Sequence, residues 1–267
     1  MLIDTHCHLD AAEFQGRADQ LALNARQVGV QKIVIPAVSK ANFADVARLG
    51  RFGGYALGIH PLYVPAATDR DLVDLKSIAI KAMSDPRFVA IGEIGLDFFV
   101  PELCAPPIRE KQIHFYKEQL RIAKELSLPV LLHVRRSVDL ILKGLRQIKI
   151  PGGIAHAFNG SEQQATMLTQ LGFKLGFGGA MTHTRALQIR RLATTLPLSS
   201  IVLETDAPDI PPSWLTFGPN TPDQLAQIAR CLAILRNLSP DDIARVTTEN
   251  VYAVLPRLTA SSVDISG

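Results

Sequence analysis

The first residues of the chain contain two histidines with a spacing that suits metal binding. His6 and His8 follow the apolar residues Leu2 and Ile3, which indicate a buried strand. Side chains alternate between the two faces of a strand, so His6 and His8 are expected on one face and Cys7, as a packing residue, on the other. Imidazole is the commonest metal ligand. Taken alone, the motif fits a metal site and a solvated turn equally well.

Further ionisable residues stand at or just after the ends of short apolar segments along the chain. They are Glu93, His133, His156 and Asp206. Burying so many ionisable groups together is unfavourable unless a metal or specific hydrogen bonds compensate. With the first two histidines they make four imidazoles and two carboxylates, which exceed one tetrahedral site and suit two divalent ions.

These residues lie on a regular alternation of short apolar and longer amphipathic segments. Eight segments are predicted as strands, each followed by a predicted helix, and a last helix is predicted near Pro240–Val254. The predicted strands are Leu2–His6, Lys32–Ala37, Tyr55–Ile59, Phe88–Glu93, Pro129–His133, Gly153–His156, Phe173–Phe177 and Ser200–Glu204.

This alternation predicts an α/β protein, either a (β/α)8 TIM-like barrel or a doubly wound open sheet. The polar residues recur at the carboxyl ends of the strands, where barrels of this kind build their active sites, and this favours the barrel. We therefore predict one domain over residues 1–258, with the metal site at the C-terminal face of the strands. Residues 259–267 are predicted to form a flexible tail.

The bulk properties agree with a single enzyme-sized domain. The length of 267 residues suits a barrel of about 250 residues, and the apolar fraction of 47% excludes a disordered chain. No apolar run reaches the ~20 residues that a membrane helix needs, and we expect no signal peptide. Three widely spaced cysteines are typical of free thiols in a reducing cytosol, so we expect a cytoplasmic protein. No exposed apolar seam stands out in the sequence, and a monomer is the default expectation. The net charge of +3 is compatible with a polyanionic substrate but does not require one.

Six short motifs follow one another in a fixed order: Asp4–His8, Gly58–Pro61, Gly92–Asp97, Leu132–Arg135, His156–Ser161 and Glu204–Pro208. Together they resemble the TatD family of metal-dependent deoxyribonucleases. The resemblance implies a first divalent ion held by His6, His8, Glu93 and Asp206, and a second held by Glu93, His133 and His156. Glu93 stands where other barrels of this class carry a carboxylated lysine, and a glutamate is typical of the TatD-like branch. Mg, Mn and Zn are all candidate ions.

The resemblance also implies a reaction, the hydrolysis of DNA phosphodiesters, as a 3′–5′ exonuclease, by water activated between two ions. Glu93 and Asp206 are the expected catalytic carboxylates, Asp206 as metal ligand and base, whereas Glu204 is expected to make a structural hydrogen bond. His60 is expected near the scissile phosphate, as a donor or acid, with a loop role beside Pro61 as the alternative. Arg135 is expected to bind phosphate, and Arg136 to face solvent. His114 and His183 are expected on a helix surface and a loop.

Some positions depart from the family pattern. The segment before Asn220 and Pro222 has no lysine or arginine, Asn159 stands where a serine is usual, and Asp209 stands where a bulky residue is common. These departures leave the proposed ligands intact but weaken the argument for DNA contact. A second hypothesis is therefore hydrolysis of a small phosphoester or aminoacyl ester with the same metals. A third, a degenerate barrel that only binds a partner, is disfavoured by the complete ligand set.

Overall fold

The computed structural model describes residues 1–260, and its centre is a sheet of eight parallel strands. The strands are β1 (Leu2–Asp4), β2 (Val30–Pro36), β3 (Gly53–Leu57), β4 (Phe88–Asp97), β5 (Val130–Arg135), β6 (Gly153–Ala155), β7 (Phe173–Phe177) and β8 (Ile201–Leu203). Each strand pairs with the next one in sequence. Thr5 donates its N–H to the carbonyl of Leu203 at 3.1 Å, and Cys7 bridges to Ala207 in parallel. These contacts join the first strand to the last, so the predicted TIM barrel is confirmed over an open sheet.

Helices alternate with the strands and cover the barrel. They are α1 (Ala18–Gln27), α2 (Phe43–Leu49), α3 (Asp69–Ala82), α4 (Ile108–Glu125), α5 (Val138–Gln147), α6 (Glu162–Gln170), α7 (Leu187–Thr195), α8 (Leu225–Arg236), α9 (Pro240–Val254) and α10 (Arg257–Ala260). Within residues 1–260, none of them is both long enough and apolar enough to cross a membrane. Thr259 and Ala260, the first residues of the predicted tail, belong to α10. The rest of that predicted tail lies outside the described residues.

The last long helix closes the amino-terminal end of the barrel. Ser239 caps α9 by accepting the N–H of Asp242, and Pro240 occupies its first turn, where a missing N–H has no consequence. Residues of α9 pack against β1, β7 and β8. Val251, Leu255 and Leu258 share a buried cluster with inward-facing residues of the strands: Ile3, Val34, Ala56, Val89, Ala90, Leu131, Ile154 and Val202. The barrel therefore has an apolar floor, and its polar residues gather at the opposite end.

The first strand is shorter than predicted. It ends at Asp4, so His6 and His8 lie beyond the strand rather than on it. The carboxylate of Asp4 accepts the N–H of His6 at 3.2 Å and both the N–H and the hydroxyl of Thr205, at 3.0 and 2.6 Å. Such side-chain bonds replace the regular ladder at a strand end. Cys7 is fully buried in the core, as its predicted packing role requires.

The fourth strand is longer than predicted and runs four residues past Glu93, to Asp97. It can do so because β5 also continues, to Arg135, which pairs with Asp97. Gly95 pairs with His133 in this extension, with a φ of +149°. A Cβ atom at Gly95 would lie 2.0 Å from the carbonyl oxygen of His133, so only glycine permits this close approach.

Candidate metal centre

Glu93 lies at the carboxyl end of the barrel and is almost fully buried, 1% exposed. The register between β4 and β5 shifts between Ile91 and Ile94, which places a bulge at Glu93. Bulges are common beside active sites because they re-aim a side chain. The N–H of Glu93 donates to the carbonyl of Ala37, which follows β2, at 2.9 Å. This bond and the pairing with β5 fix the backbone from which the carboxylate projects.

One oxygen of this carboxylate faces the amino-terminal histidines. Glu93 Oε2 lies 3.1 Å from His6 Nε2 and 3.5 Å from His8 Nε2. Asp206 Oδ1 lies 3.7 Å from the same atom of His6 and 3.9 Å from that of His8. The structure thus brings together all four residues that the sequence assigned to a first ion.

The other oxygen of the carboxylate faces different imidazoles. Glu93 Oε1 lies 2.9 Å from His156 Nε2 and 3.1 Å from His133 Nδ1. The two histidine nitrogens are 3.4 Å apart. Each oxygen of Glu93 therefore has its own group of nitrogen atoms, which is the arrangement expected of a carboxylate shared between two sites.

Asp206 reaches this cluster from an unusual backbone conformation. Its φ is +57°, in the left-handed region, which aspartate adopts more readily than most non-glycine residues. Its N–H donates to the carbonyl of His6 at 2.8 Å, and its own carbonyl accepts the N–H of Asp209 at 2.8 Å. Burial raises the pKa of Asp206 above its usual value. The result is a buried carboxylate that is a stronger base than aspartate in water.

Asp97 holds His133 from the side opposite Glu93. Its Oδ2 lies 3.0 Å from His133 Nε2, and its Oδ1 accepts the N–H groups of Phe99 and Val100 at 2.8 and 3.1 Å. Burial works to raise the pKa of Asp97, but these hydrogen bonds outweigh it and lower the pKa to about 2. Metal-binding histidines commonly donate their second N–H to a carboxylate in this way. Asp97 ends the Gly92–Asp97 motif, but no role was predicted for it.

His60 lies against the same carboxylate but is held as a hydrogen-bond donor. Its Nδ1 accepts the N–H of Leu62 at 3.1 Å, so the proton of the neutral ring is on Nε2. That Nε2 lies 3.4 Å from Glu93 Oε1. Burial lowers the pKa of His60 to about 4, which keeps the ring neutral near pH 7. A protonated Nε2 has no lone pair for a metal, so this geometry favours hydrogen bonding to substrate over metal binding.

Several buried polar atoms of the cluster lack hydrogen-bond partners within residues 1–260. These atoms include Nδ1 of His6, Nδ1 of His156 and Oε2 of Glu204. The rings of His6 and His156 are stacked, with centroids 4.0 Å apart. Donor atoms lie within 4.8 Å of one another in three groups: His6, His8 and Glu93; His6, His156 and Asp206; and His60, Glu93 and His133. These nitrogen and oxygen donors fit bound divalent ions.

The electrostatics of the cluster agree with this fit. Burial works to raise the pKa of Glu93, but the imidazoles around it outweigh burial and hold that pKa well below its usual range. Burial also works to lower the pKa of His156, but Glu93 and Asp206 outweigh it and raise the pKa to about 10. Burial lowers the pKa of His6 to about 3. The centre therefore keeps an ionised carboxylate in its middle and attracts positive charge to its surroundings.

The remaining residues singled out from the sequence have simpler environments. Glu204 makes the expected structural hydrogen bond, accepting the N–H of Ala157 at 2.5 Å. His114 pairs with Asp69 at 3.0 Å on the helix surface, and His183 contacts the carbonyl of Pro211 at 3.0 Å in a loop. These two histidines do not belong to the cluster.

The cluster lies in a cavity of about 1190 Å³, which opens at the carboxyl end of the barrel. Arg135 lies on its wall with a half-exposed side chain, and its Nη1 is 4.0 Å from Asp97 Oδ2. Arg136 and Phe99 line the same cavity. Arg135 therefore occupies the position beside the cluster that its predicted role requires.

The sequence as a whole matches one family. The model of that family, described as TatD related DNase, matches residues 3–256. The uncharacterized metal-dependent hydrolase YjjV of Escherichia coli strain K12 is 40% identical over 258 residues, which cover 94% of this chain and 96% of that protein. An uncharacterized metal-dependent hydrolase of Haemophilus influenzae is 38% identical over 258 residues, covering 94% and 98%. The crystal structure of YjjV, a TatD homologue, matches with a TM-score of 0.89 and 39% identity, over 96% of this chain and 98% of that one. This chain belongs to the TatD family of metal-dependent hydrolases.

Proposed function

We propose that this protein hydrolyses phosphodiester bonds of DNA with two divalent ions, as a 3′–5′ exonuclease. The observation that carries the proposal is the position of Glu93, whose two carboxylate oxygens face separate groups of imidazoles at 2.9–3.5 Å. We assign the first ion to His6, His8, Glu93 and Asp206, and the second to Glu93, His133 and His156. The family description as a DNase supports phosphodiesters as the substrate class.

The chemistry needs a nucleophile, a fixed phosphate and neutralised charge. Two divalent ions about 3.5–4 Å apart activate water and neutralise charge on a phosphate during in-line displacement. The buried carboxylate of Asp206 would accept the proton that the attacking water loses. Its Oδ1 lies 3.7–3.9 Å from three imidazoles, within the candidate metal centre.

Two residues of the cavity are assigned to the phosphate itself. His60 carries its proton on Nε2 and donates it in a hydrogen bond to a nonbridging oxygen of the scissile phosphate. Arg135 presents a guanidinium, whose paired N–H groups match the oxygens of a phosphate. Neither residue needs to change its protonation state, so both act by position and charge.

The test is to remove the metal with a chelator, measure residual metal, and restore Mg, Mn or Zn one at a time. Activity is followed on single-stranded DNA labelled at its 5′ end. We expect two ions per chain and a ladder of products that shortens stepwise from the 3′ end. An imidazole-rich ligand set suits Zn or Mn by its donor chemistry, whereas the family resemblance implies activity with Mg. Chelator-insensitive hydrolysis contradicts the proposal.

One observation favours a second candidate function, hydrolysis of a small phosphoester or aminoacyl ester at the same centre. The segment from residue 216 to residue 222 contains no lysine or arginine. Fewer cations beside the site mean weaker binding of a long polyanion. Intact DNA together with turnover of a small ester would support this candidate instead.

A further inference from the structure

We propose that Arg136, held on the ring of Phe99, forms a second-phosphate subsite, which binds a phosphate of the substrate beyond the one that Arg135 contacts and the metal centre cleaves. This inference rests on the proposed function, because it assigns an additional contact to the same substrate. The chemistry recognised is a phosphate group, either an internal phosphodiester or a terminal phosphate monoester.

The subsite is built on one aromatic ring. The guanidinium carbon of Arg135 lies 3.7 Å from the centroid of the Phe99 ring, and that of Arg136 lies 4.6 Å from it. The ring is 44% exposed and lines the same cavity as the metal centre. Cation–π contacts hold a guanidinium by its face and leave its N–H groups free to bind a ligand. Phe99 thus contacts two cations that both line the cavity.

The backbone of Arg136, which carries the second cation, adopts an uncommon conformation. β5 ends at Arg135, and Arg136 has a φ of +54°, in the left-handed region that long side chains rarely occupy. The next residue, Ser137, anchors the turn by donating its hydroxyl to the carbonyl of Leu96 at 2.7 Å. Strained conformations of this kind persist where the surrounding structure fixes them and are concentrated at functional sites.

Within the part of the chain that the structure describes, neither guanidinium group has a free carboxylate close enough to neutralise its charge. The carboxylate of Asp97 is 4.0 Å from Arg135 and is already bonded to His133 at 3.0 Å. Across residues 1–260, Arg136 has no carboxylate within ion-pair distance. By contrast, Arg70 pairs with Asp74 at 3.0 Å on its helix. A guanidinium without a full counter-charge is complementary to a phosphate, which accepts several charge-assisted hydrogen bonds.

The subsite is connected to the metal centre through one carboxylate. Asp97 Oδ2 contacts His133, whereas its Oδ1 accepts the N–H of Phe99 at 2.8 Å. The same residue therefore positions a proposed metal ligand and the loop that carries the aromatic ring. A substrate whose scissile phosphate contacts Arg135 can place its neighbouring phosphate at Arg136, which lines the same cavity. This contact replaces part of the positive charge that the segment from residue 216 to residue 222 lacks.

The test compares two substrates that differ in phosphate number. Metal-loaded wild type, Arg136→Gln and Phe99→Leu are assayed on bis(4-nitrophenyl) phosphate, which has one phosphate, and on a single-stranded tetrathymidylate. We expect Arg136→Gln to lose roughly tenfold in kcat/KM on the oligonucleotide, the effect of one lost charge-assisted hydrogen bond. The loss on the single-phosphate diester is expected to be much smaller. The slope of log kcat/KM against log salt should fall by about 0.7 on the oligonucleotide.

The matched control is Arg51→Gln. Arg51 also stacks on a phenylalanine, Phe52, at 4.7 Å, but it precedes β3 at the opposite end of the barrel. It is expected to leave both activities unchanged. Phe99→Leu is the second variant: it removes the aromatic ring and keeps both arginine charges. It tests the subsite if Arg136→Gln does not fold. Adding a 5′-terminal phosphate to a thymidine dinucleotide, where it neighbours the scissile phosphate, distinguishes the two sources, since a gain specific to wild type identifies the monoester.

Three outcomes decide the matter. A larger loss on the oligonucleotide than on the diester, in both variants, supports the subsite. Equal losses on the two substrates, or no loss on the oligonucleotide, overturn the subsite and leave the proposed function standing. Absence of divalent-dependent turnover of either substrate by wild type overturns the proposed function and the subsite with it.

Discussion

Asp97 Oδ2 lies 3.0 Å from His133 Nε2, and the opposite ring nitrogen of His133 lies 3.1 Å from Glu93. The carboxylate of Asp97 therefore fixes both the orientation of this imidazole and the nitrogen that faces Glu93. The neutral ring keeps its proton on Nε2, and the lone pair of Nδ1 is directed into the centre.

This relationship predicts that Asp97→Asn weakens metal binding without removing a ligand. We expect metal affinity to fall by about 10–100-fold, the usual effect of losing such a supporting carboxylate. Titration calorimetry with the divalent ion measures it directly. Asp69→Asn is the matched control, because Asp69 contacts the exposed His114 at the same distance of 3.0 Å, far from the centre. Equal affinities in the two variants would contradict the assignment.

Replacing the central carboxylates is expected to abolish most activity for two different reasons. Asp206→Asn removes the proposed base and should lower kcat by about 10²–10⁴-fold. Glu93→Gln removes the shared negative charge and should lower the number of bound ions as well as the rate. Metal analysis and kinetics on a single-stranded oligonucleotide measure both effects. Near-normal, divalent-dependent cleavage by both variants, at unchanged metal content, would refute these roles.

His60 is expected to affect the rate but not the metal content. His60→Leu removes a single donor aimed at the phosphate, and we expect kcat to fall by about 10²–10³-fold. Because its Nε2 carries the proton, the number of bound ions should stay as in wild type. His183→Leu, in which a loop histidine bonded to the carbonyl of Pro211 is removed, serves as the control. A loss of bound metal in His60→Leu would show that the ring is a ligand.

The half-buried carboxylate of Asp85 is expected to make the folded protein less stable at acidic pH. Partial burial works to raise the pKa of Asp85, but hydrogen bonds from Arg87 outweigh it and lower the pKa below its ordinary value of 3.8. A lowered pKa stabilises the folded protein above that ordinary value, and the contribution is lost as pH falls through the lowered pKa. Asp85→Asn should therefore reduce the free energy of unfolding at pH 7 and approach wild type as the pH falls below 3.8 through the lowered pKa. Urea denaturation across this range tests it, with Asp45→Asn as the control.

The apolar floor of the barrel is expected to contribute to the free energy of unfolding but not to catalysis. Leu255 is completely buried between α9 and the strands. Leu255→Ala should lower the free energy of unfolding by about 2–5 kcal/mol, the usual cost of a cavity of this kind. Activity per folded molecule should be unchanged. Leu187→Ala serves as the control, since Leu187 is 76% exposed. A stability change as small as that of the control would contradict the packing argument.

The fold and the gathering of polar residues were predictable because parallel strands direct their carboxyl ends to one face. Glu93 and Asp206 could be placed there from apolar segments alone. The end of β1 at Asp4 was not predictable, because it depends on a hydrogen bond from Thr205, which lies 201 residues later in the sequence. Neither was the stacking of Arg136 on Phe99, which depends on a left-handed turn that no glycine marks in the sequence.

The closure of the barrel also couples the candidate metal centre to the folding of the whole domain. Thr248 of α9 donates its hydroxyl to the carbonyl of Met1 at 3.1 Å, and Asp206 donates its N–H to the carbonyl of His6. His6 and Asp206 come from opposite ends of the barrel's strand order, so a fragment without the last strand lacks one side of the cluster. The cluster is therefore assembled only when the whole barrel has closed.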